Sequence, residues 1–280
     1  YPGEFRNAGR PVRPTPIYEK LKKQNAVFAE TFGWERAKWF DKKGNGEKYS
    51  FKRNNSFEIV ADECKAVRNN AGLIDLTSFS KFEISGVDSE KFLNRICANS
   101  IPQQDGRIVL VHMLTNLGGI ECEATITRLS KNKFYMLSAA VAEIHDFDWM
   151  NQNVFPDEKV KIKNVTDNFG VLALSGPYSR KILTKLTKSS LSNESFAWMN
   201  SKSIEILGVT VRALRVSYVG ELGWEIHLPI ENMDTLYDSI METGSEFGIV
   251  NFGTYAMNSL RMEKAYKGWG SELTTEVTPM

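Results

Sequence analysis

The order in which two kinds of apolar pattern follow one another constrains the fold more than any single motif. Runs that alternate apolar and polar residues have the period of a half-buried strand, and apolar residues three or four apart have the period of a helix. Beyond residue 70 the order is strand, helix, two or three strands, helix, and it occurs twice. Strands that follow one another directly can pair antiparallel, whereas parallel pairs need a long crossover. We therefore predict an α+β fold with antiparallel sheets.

The first occurrence of the pattern falls in residues 57–159, which we predict to be one subdomain. Gly72 is a plausible C-terminal cap for the opening helix, since glycine adopts the left-handed conformation that ends many helices. The predicted helices are Glu58–Asn70, Asp88–Cys97 and Val141–Met150, and the predicted strands are Ile74–Leu76, Ser80–Ser85, Arg107–Leu114, Glu121–Leu129 and Lys133–Ala139.

The second occurrence falls in residues 160–280, which we predict to be a second subdomain. Its predicted strands are Val171–Leu174, Val209–Val216 and Gly223–Leu228, and its predicted helices are Tyr178–Leu186, Glu231–Met241 and Thr254–Ala265. Residues 1–56 are rich in aromatic residues without a clear period, so we expect an extended lead or linker with one short helix, Ile17–Lys23.

Charge and cysteine content exclude several classes of protein. The 35 basic and 34 acidic residues leave a net charge of +1, so no general field draws the chain to nucleic acid or an anionic membrane. The three cysteines lack the spacing of a metal site, which predicts no metal and reduced thiols in a cytoplasmic compartment. No apolar run reaches the roughly 18 residues of a membrane span. Because the sequence begins with Tyr1 instead of Met, we expect a piece of a longer polypeptide.

Six short motifs in a fixed order carry a family resemblance. They resemble the folate-binding part of the aminomethyltransferase (glycine-cleavage T-protein) superfamily, and most closely the C-terminal folate domain of dimethylglycine and sarcosine dehydrogenases. The lead segments Tyr1-Pro-Gly-Glu4 and Gly33–Phe40 are similar to the linker that precedes that domain. The six motifs are Ile74–Lys81, Phe92–Arg95, Gly118–Glu123, Leu174–Pro177, Tyr218–Glu225 and Asn258–Lys264.

The resemblance implies a cloverleaf of subdomains with ferredoxin-like sheets around a folate cleft, with the terminal barrel missing from this chain. It also implies that a flavin domain, in the same polypeptide or a partner subunit, oxidises an N-methyl amine with FAD. The one-carbon unit then passes to tetrahydrofolate and gives 5,10-methylenetetrahydrofolate. In a eukaryote the mitochondrial matrix is the expected compartment. The chain itself has no Gly-rich nucleotide loop, so any FAD would bind outside it.

Glu221 is the first candidate for binding folate. It lies in a glycine-flanked turn between two predicted strands. The resemblance implies that this carboxylate accepts hydrogen bonds from the row of N–H groups on the pterin edge, a pairing that suits the two oxygens of a carboxylate. An exposed turn glutamate without a ligand is the alternative.

Glu123 is the candidate catalytic residue. The T-protein has an acidic pair after its Gly-Gly turn, and here Cys122 replaces the first acid and Glu123 the second. A carboxylate there can stabilise a cationic iminium and manage protons. Strand alternation predicts that Glu121, Glu123 and Thr125 share one face and that Cys122 points the other way. A glutamate that only faces solvent is the alternative.

Five further residues are implied as lining the folate site. Arg261 could pair with a folate carboxylate, or it could form an ordinary ion pair with Glu263 or Glu246. Trp269 and Tyr218 offer rings for stacking, or simple packing. Thr125 lies on the same predicted strand face as Glu123. Leu110 occupies a position that is often Tyr in the dehydrogenases, so a hydroxyl is lost there.

Three functions remain open. The first is transfer of a one-carbon unit from an N-methyl amine to tetrahydrofolate. The second is a non-catalytic folate-binding or regulatory module, which the changes at Glu123 and Leu110 favour slightly. The third is the related iron–sulfur-assembly and tRNA-modification branch, whose helix-end motif has a cysteine. The matching segment here, Lys264–Gly270, has none.

Overall fold

The computed structural model describes residues 6–279 as α-helices, strands and connecting turns. The lead motif Tyr1-Pro-Gly-Glu4 lies outside the described residues. The strands are β1 (Ala26–Thr31), β2 (Trp34–Phe40), β3 (Ala71–Asp75), β4 (Ser80–Ser85), β5 (Ile108–Leu114), β6 (Ile120–Ser130), β7 (Lys133–Ser138), β8 (Lys161–Asn164), β9 (Phe169–Ser175), β10 (Ser201–Ile206), β11 (Val209–Leu214), β12 (Gly223–Pro229) and β13 (Ile249–Asn251). The helices are α1 (Tyr18–Lys23), α2 (Phe57–Asn69), α3 (Ser89–Ile96), α4 (Glu143–Gln152), α5 (Ser179–Leu186), α6 (Met233–Gly244) and α7 (Thr254–Glu263).

The chain divides into two compact units, and each is built from separate stretches of sequence. The first unit comprises the residues up to Ser78 together with Phe169–Ala197 and Ser203–Tyr266. The second comprises Phe79–Asn168, Trp198–Lys202 and the residues from Lys267 onward. This grouping by contact does not follow chain order, because β3 pairs with β9 and β13 and not with the strands that come next after it. The sequential division at residues 56/57 and 159/160 stays a prediction.

The first unit is organised around a six-stranded sheet in the order β10-β11-β12-β9-β3-β13. Neighbours β11, β12, β9 and β3 pair antiparallel, and β13 adds to β3 as a parallel edge. The core contains residues of the sheet together with residues of α1, α5 and α6, among them Leu21, Ile182, Trp224 and Ile240. Trp224 is fully buried near the start of β12. The sheet and helix types therefore match the predicted α+β class.

A two-stranded hairpin corrects the prediction that residues 1–56 are extended and irregular. Strands β1 and β2 pair antiparallel around Phe32 and Gly33, which both have positive φ (50° and 83°). Such a two-residue turn is the usual hairpin connection, but its common sequence signals are Asn-Gly or Asp-Gly. The sequence does not predict this hairpin because a bulky Phe occupies the first turn position. The predicted short helix is present as α1.

Gly72 does not cap the first long helix. The helix α2 ends at Asn69 with Asn70 as its C-cap, and Gly72 lies inside β3. A Cβ atom at Gly72 would come within 2.6 Å of the side chains of Phe252 and Val67. The glycine is thus explained by close packing against its neighbours and not by the left-handed conformation of a helix cap.

The second unit is a five-stranded antiparallel sheet in the order β5-β6-β7-β4-β8. Helices α3 and α4 contribute Phe92, Leu93 and Met150 to its apolar core, opposite Phe82 and Ile126 of the strands. No helix between residues 6 and 279 combines the length and apolarity needed to cross a membrane.

The C-terminal stretch of the second unit packs against the start of β6. The Ile120 amide faces the carbonyl oxygens of Val277 at 3.0 Å and Thr274 at 3.3 Å. Gly119 lies beneath this segment, where a Cβ atom would come 1.9 Å from the Thr275 carbonyl oxygen. A side chain at position 119 therefore cannot coexist with the segment in its present place.

We expect Gly119→Ala to lower the free energy of unfolding by about 1–3 kcal/mol, because the backbone must move to relieve the overlap. Urea unfolding followed by circular dichroism measures the change. Gly9→Ala is the matched control, since no atom lies within 4 Å of a Cβ placed there. Equal stability of the two variants would contradict the tight packing of the C-terminal segment on Gly119.

Candidate functional site

The turn that carries Glu221 is fixed at both ends within the first unit. Gly220 has φ of 73°, and a Cβ atom there would lie 2.4 Å from the side chain of Lys264. The Leu222 carbonyl accepts hydrogen bonds from the Gly176 amide at 2.8 Å and the Ser179 hydroxyl at 3.0 Å. Glycine at position 220 and the Ser175-Gly-Pro177 turn are therefore both needed to hold the backbone around Glu221.

The carboxylate of Glu221 is available to a ligand. The residue is half-buried in the turn just before β12, and no hydrogen bond or ion pair to it occurs within the described part of the chain. A half-buried carboxylate without a protein donor gains from donors that a ligand supplies. This geometry is compatible with the predicted role of Glu221 in gripping a flat ring edge that carries N–H groups.

Tyr218 and Arg261 lie near the same turn. Tyr218 stacks on Tyr266, with ring centroids 6.2 Å apart and an angle of 20° between the rings. Arg261 is only 6% exposed, and its guanidinium donates to the Asn258 side-chain oxygen and to the Tyr266 carbonyl, both at 2.8 Å. Arg261 thus holds the turn that follows α7, and this turn carries both Tyr266 and Lys264.

The acids named as alternative partners of Arg261 are paired elsewhere. Glu263 forms an ion pair with Arg68, and Glu246 forms one with Lys185. The hydrogen bonds of Arg261 described above go instead to an amide oxygen and a backbone carbonyl.

In the second unit, Glu123 lies on an accessible face of the sheet. Register places it opposite His112, and Thr125 is opposite Leu110 on the same pair of strands. A hydrogen bond of 2.9 Å joins His112 Nε2 to Glu123 Oε2. Leu110 is 46% exposed on this face. The structure therefore brings Glu123, Thr125 and Leu110 together, with His112 as an added member.

Cys122 confirms the predicted alternation of this strand. It is buried in the core on the opposite face of β6, while Glu121, Glu123 and Thr125 are half-buried on the accessible face. The first acid of the pair that the resemblance implies would therefore point into the core of this protein, where Cys122 carries no carboxylate. A carboxylate there would need a buried partner.

A second histidine ties Glu121 to a buried acid. His145 Nε2 lies 2.8 Å from Glu121 Oε1, and its Nδ1 lies 2.9 Å from Asp146 Oδ1. Burial disfavours the protonated ring, but the hydrogen bonds to Asp146 and Glu121 outweigh it and raise the pKa of His145. Burial also raises the pKa of Asp146, and the hydrogen bond with His145 offsets this only in part.

Trp269 joins this group from the C-terminal segment. Its indole Nε1 donates to the Glu121 carbonyl at 3.1 Å, and its ring lies 6.2 Å from that of His145. No local motif in the sequence marks His112 or His145 as members of a site. Glu123 lies 11 positions from His112, and Glu121 lies 24 positions from His145, so only strand register and the docking of α4 bring these two pairs together.

The predicted site residues therefore fall into two groups, one in each unit. Tyr218, Glu221 and Arg261 belong to the first unit, and Leu110, Glu123, Thr125 and Trp269 belong to the second. Among residues 6–279 no cluster of three His, Cys, Asp or Glu side chains has the arrangement of a metal site.

Comparison with known proteins establishes the family. The model of the GCVT N-terminal domain matches residues 17–280. The chain belongs to the GCVT N-terminal domain family. The resemblance inferred from the six motifs is thereby confirmed.

Three curated relatives indicate the branch. Mouse (Mus musculus) mitochondrial dimethylglycine dehydrogenase is 43% identical over all of this chain, which covers 32% of that protein. Human mitochondrial sarcosine dehydrogenase is 28% identical over all of the chain, which covers 35% of it. The mouse mitochondrial pyruvate dehydrogenase phosphatase regulatory subunit is 31% identical over 97% of the chain, which covers 32% of it. The chain thus spans about a third of the length of these relatives.

A solved structure confirms the fold. The glycine cleavage system aminomethyltransferase T from Bartonella henselae aligns with a TM-score of 0.80 at 23% identity, over 96% of this chain and 67% of that one. This similarity establishes the aminomethyltransferase fold, with its mixed helices and antiparallel sheets.

Proposed function

We propose that the chain is the tetrahydrofolate-dependent one-carbon-transfer module of an enzyme that demethylates N-methyl amines related to dimethylglycine or sarcosine. The observation that carries the proposal is the half-buried carboxylate of Glu221 in its fixed turn, which has no partner among residues 6–279. The family and the 43% identity to a dimethylglycine dehydrogenase support the choice of reaction. Tetrahydrofolate would accept the one-carbon unit and leave as 5,10-methylenetetrahydrofolate.

Glu221 would provide the main polar contact with the ligand. Its two oxygens can accept two parallel N–H donors from the pterin edge, and such charge-assisted pairs are about twice as strong as neutral ones. Tyr218, already stacked on Tyr266, offers an aromatic face beside that turn. Arg261 would act by holding the turn after α7, since its guanidinium is bound to Asn258 and the Tyr266 carbonyl.

Glu123 would serve the chemical step. Its carboxylate can stabilise a cationic one-carbon donor and accept or return a proton. The hydrogen bond to His112 orients one carboxylate oxygen, which limits the rotamers of the longer Glu side chain. Trp269, held by the Glu121 carbonyl, would contribute an apolar surface, and Thr125 and Leu110 flank Glu123 on the sheet face.

The rest of the reaction requires a partner. We propose that oxidation of the N-methyl amine takes place in a flavin domain that binds FAD and is separate from these residues, in the same polypeptide or in a partner subunit. The three relatives are named as mitochondrial proteins, which supports a mitochondrial location for this one.

Removal of the Glu221 carboxylate tests the binding proposal. We expect Glu221→Ala to weaken tetrahydrofolate binding by about tenfold to a few hundredfold, because two charge-assisted hydrogen bonds are lost. Isothermal titration of this chain with tetrahydrofolate measures the affinity. Glu231→Ala removes an exposed carboxylate of the same unit and should bind normally. Undiminished affinity in Glu221→Ala would remove the main support for the site.

A non-catalytic folate-binding or regulatory module is the second candidate. The similarity to a phosphatase regulatory subunit favours it, as does the exposed Leu110 beside Glu123 where a tyrosine is common in the dehydrogenases. Tetrahydrofolate binding without any turnover in the full-length protein would distinguish this candidate from the enzyme.

A further inference from the structure

Two arginines of the first unit converge on a single neutral oxygen. Arg180 belongs to the first turn of α5, and Arg215 follows β11. Each donates from its terminal nitrogen to the Asn193 side-chain oxygen at 2.7 Å. Asn193 is exposed in the loop after α5, so the point on which both guanidinium groups converge is reachable from solvent.

The positive charge of this pair is poorly balanced. Within the described residues, no carboxylate lies at ion-pair distance from either guanidinium, and the Nε atoms of Arg180 and Arg215 are buried without an acceptor. Burial and the nearby charge of Arg180 lower the pKa of Arg215. Both groups lie 5.7 Å from the centre of the Trp224 ring, which offsets only part of the repulsion.

An open cavity of about 550 Å³ adjoins Arg180 and Asn193. Its lining includes Arg180 and Lys188 together with the hydroxyl-bearing residues Ser189, Ser190 and Thr184. Glu194 supplies the single carboxylate of the lining, and hydrogen bonding from Ser192 together with the charge of Arg180 lowers its pKa. Cationic and hydroxyl donors therefore outnumber the anionic acceptors in the wall of the cavity.

A purely structural explanation accounts for only part of this arrangement. Asn193 and the Phe196 carbonyl receive hydrogen bonds from the arginines and so pin the loop after α5. An amide oxygen carries no net charge, however, and two like charges near one another repel in a partly buried setting. One arginine would be enough to pin the loop at Asn193, whereas two on one acceptor create an excess of positive potential.

We propose that Arg180 and Arg215, with Lys188 and the serine-rich loop, form a binding site for a phosphate group. Guanidinium groups donate paired hydrogen bonds that match phosphate oxygens, and serine and threonine hydroxyls complete such sites. The site shares no residue with the Glu221 turn. The phosphate site can therefore be tested independently of the proposed folate function.

Thermal unfolding of the 280-residue chain tests the site directly. Inorganic phosphate is compared with sodium chloride at equal ionic strength, and we expect phosphate at about ten times its Kd to raise Tm by roughly 3–6 °C. Arg180→Gln should abolish the rise, and Lys42→Gln, which removes an exposed charge elsewhere in the unit, should keep it. If phosphate does not raise the Tm of the native chain, the proposal is wrong. If phosphate raises the Tm of Arg180→Gln as much as that of the native chain, it binds as an adventitious ion only, and the proposal is also wrong.

A second variant keeps the test independent of any folding defect in Arg180→Gln. Asn193→Asp places a carboxylate between the two guanidinium groups, so we expect a higher Tm in chloride alone and no further rise with phosphate. A lower Tm in Asn193→Asp would show that the two arginines gain nothing from a nearby negative charge, and it would contradict the proposed site. Glycerol phosphate separates the sources: a rise with inorganic phosphate only assigns the site to the free ion, and a rise with both assigns it to phosphoesters as well.

Discussion

Replacing Glu123 with Gln in the full-length protein is expected to slow one-carbon transfer by a factor of about 10²–10⁴, the usual contribution of a positioned acid or base. The amide keeps the size of the side chain and can still bond to His112, but it carries no charge and does not accept a proton at neutral pH. Formation of 5,10-methylenetetrahydrofolate from an N-methyl amine donor measures the rate.

The matched control for Glu123 is Asp157→Asn, which removes an exposed acid from the same unit. Affinity for tetrahydrofolate should change little in Glu123→Gln, because Glu221 is proposed to supply the main polar contact. If the native protein binds tetrahydrofolate tightly and shows no turnover, and Glu123→Gln behaves identically, the chain is a binding module and not an enzyme.

The stability of the first unit should depend on the protonation of Glu63. This buried side chain of α2 accepts hydrogen bonds from the Phe40 amide at 2.8 Å and the Gly253 amide at 2.9 Å. Burial raises its pKa from 4.5 to about 7, although the two amides favour the ionised form. The side chain therefore links α2 to the end of β2 and the start of α7. This position also removes the carboxyl group from water, which disfavours its ionised form.

The sign of the pH effect follows from the raised pKa. Between pH 4.5 and about 7 the folded state binds more protons at Glu63 than the unfolded state, so the free energy of unfolding falls as pH rises. The contribution of Glu63 to the free energy of unfolding is fully present below pH 4.5 and is lost as the pH rises through about 7. The free energy of unfolding falls by about 3 kcal/mol over this range. Urea unfolding at a series of pH values measures it.

Glu63→Gln should remove this part of the pH dependence, whatever its effect on stability at any single pH. The slope is therefore the diagnostic quantity, because the amide group also loses one acceptor oxygen and lowers stability at every pH. Glu58→Gln, on the exposed face of the same helix, should keep the native slope. An unchanged slope in Glu63→Gln would mean that the carboxyl titrates normally in the folded protein.

Much of the candidate site could be predicted because its signals are local. Gly220 and Gly223 mark the turn around Glu221, and the alternation of β6 assigns Glu123 to one face and Cys122 to the other. The chemical partners could not be predicted in the same way. His112 meets Glu123 only through the register of β5 against β6. Arg261 bonds to the Tyr266 carbonyl only because the chain turns back after α7.

By itself, the sequence determined the α+β class, most of the helices and strands, and the family, since residue periodicity and short motifs are properties of neighbouring residues. Only the tertiary structure decided how β3 joins β9 and β13, that Gly72 serves packing, and that two arginines share Asn193. These features depend on pairs of residues far apart in the chain. Their contacts arise from the packing of whole elements, which no local pattern encodes.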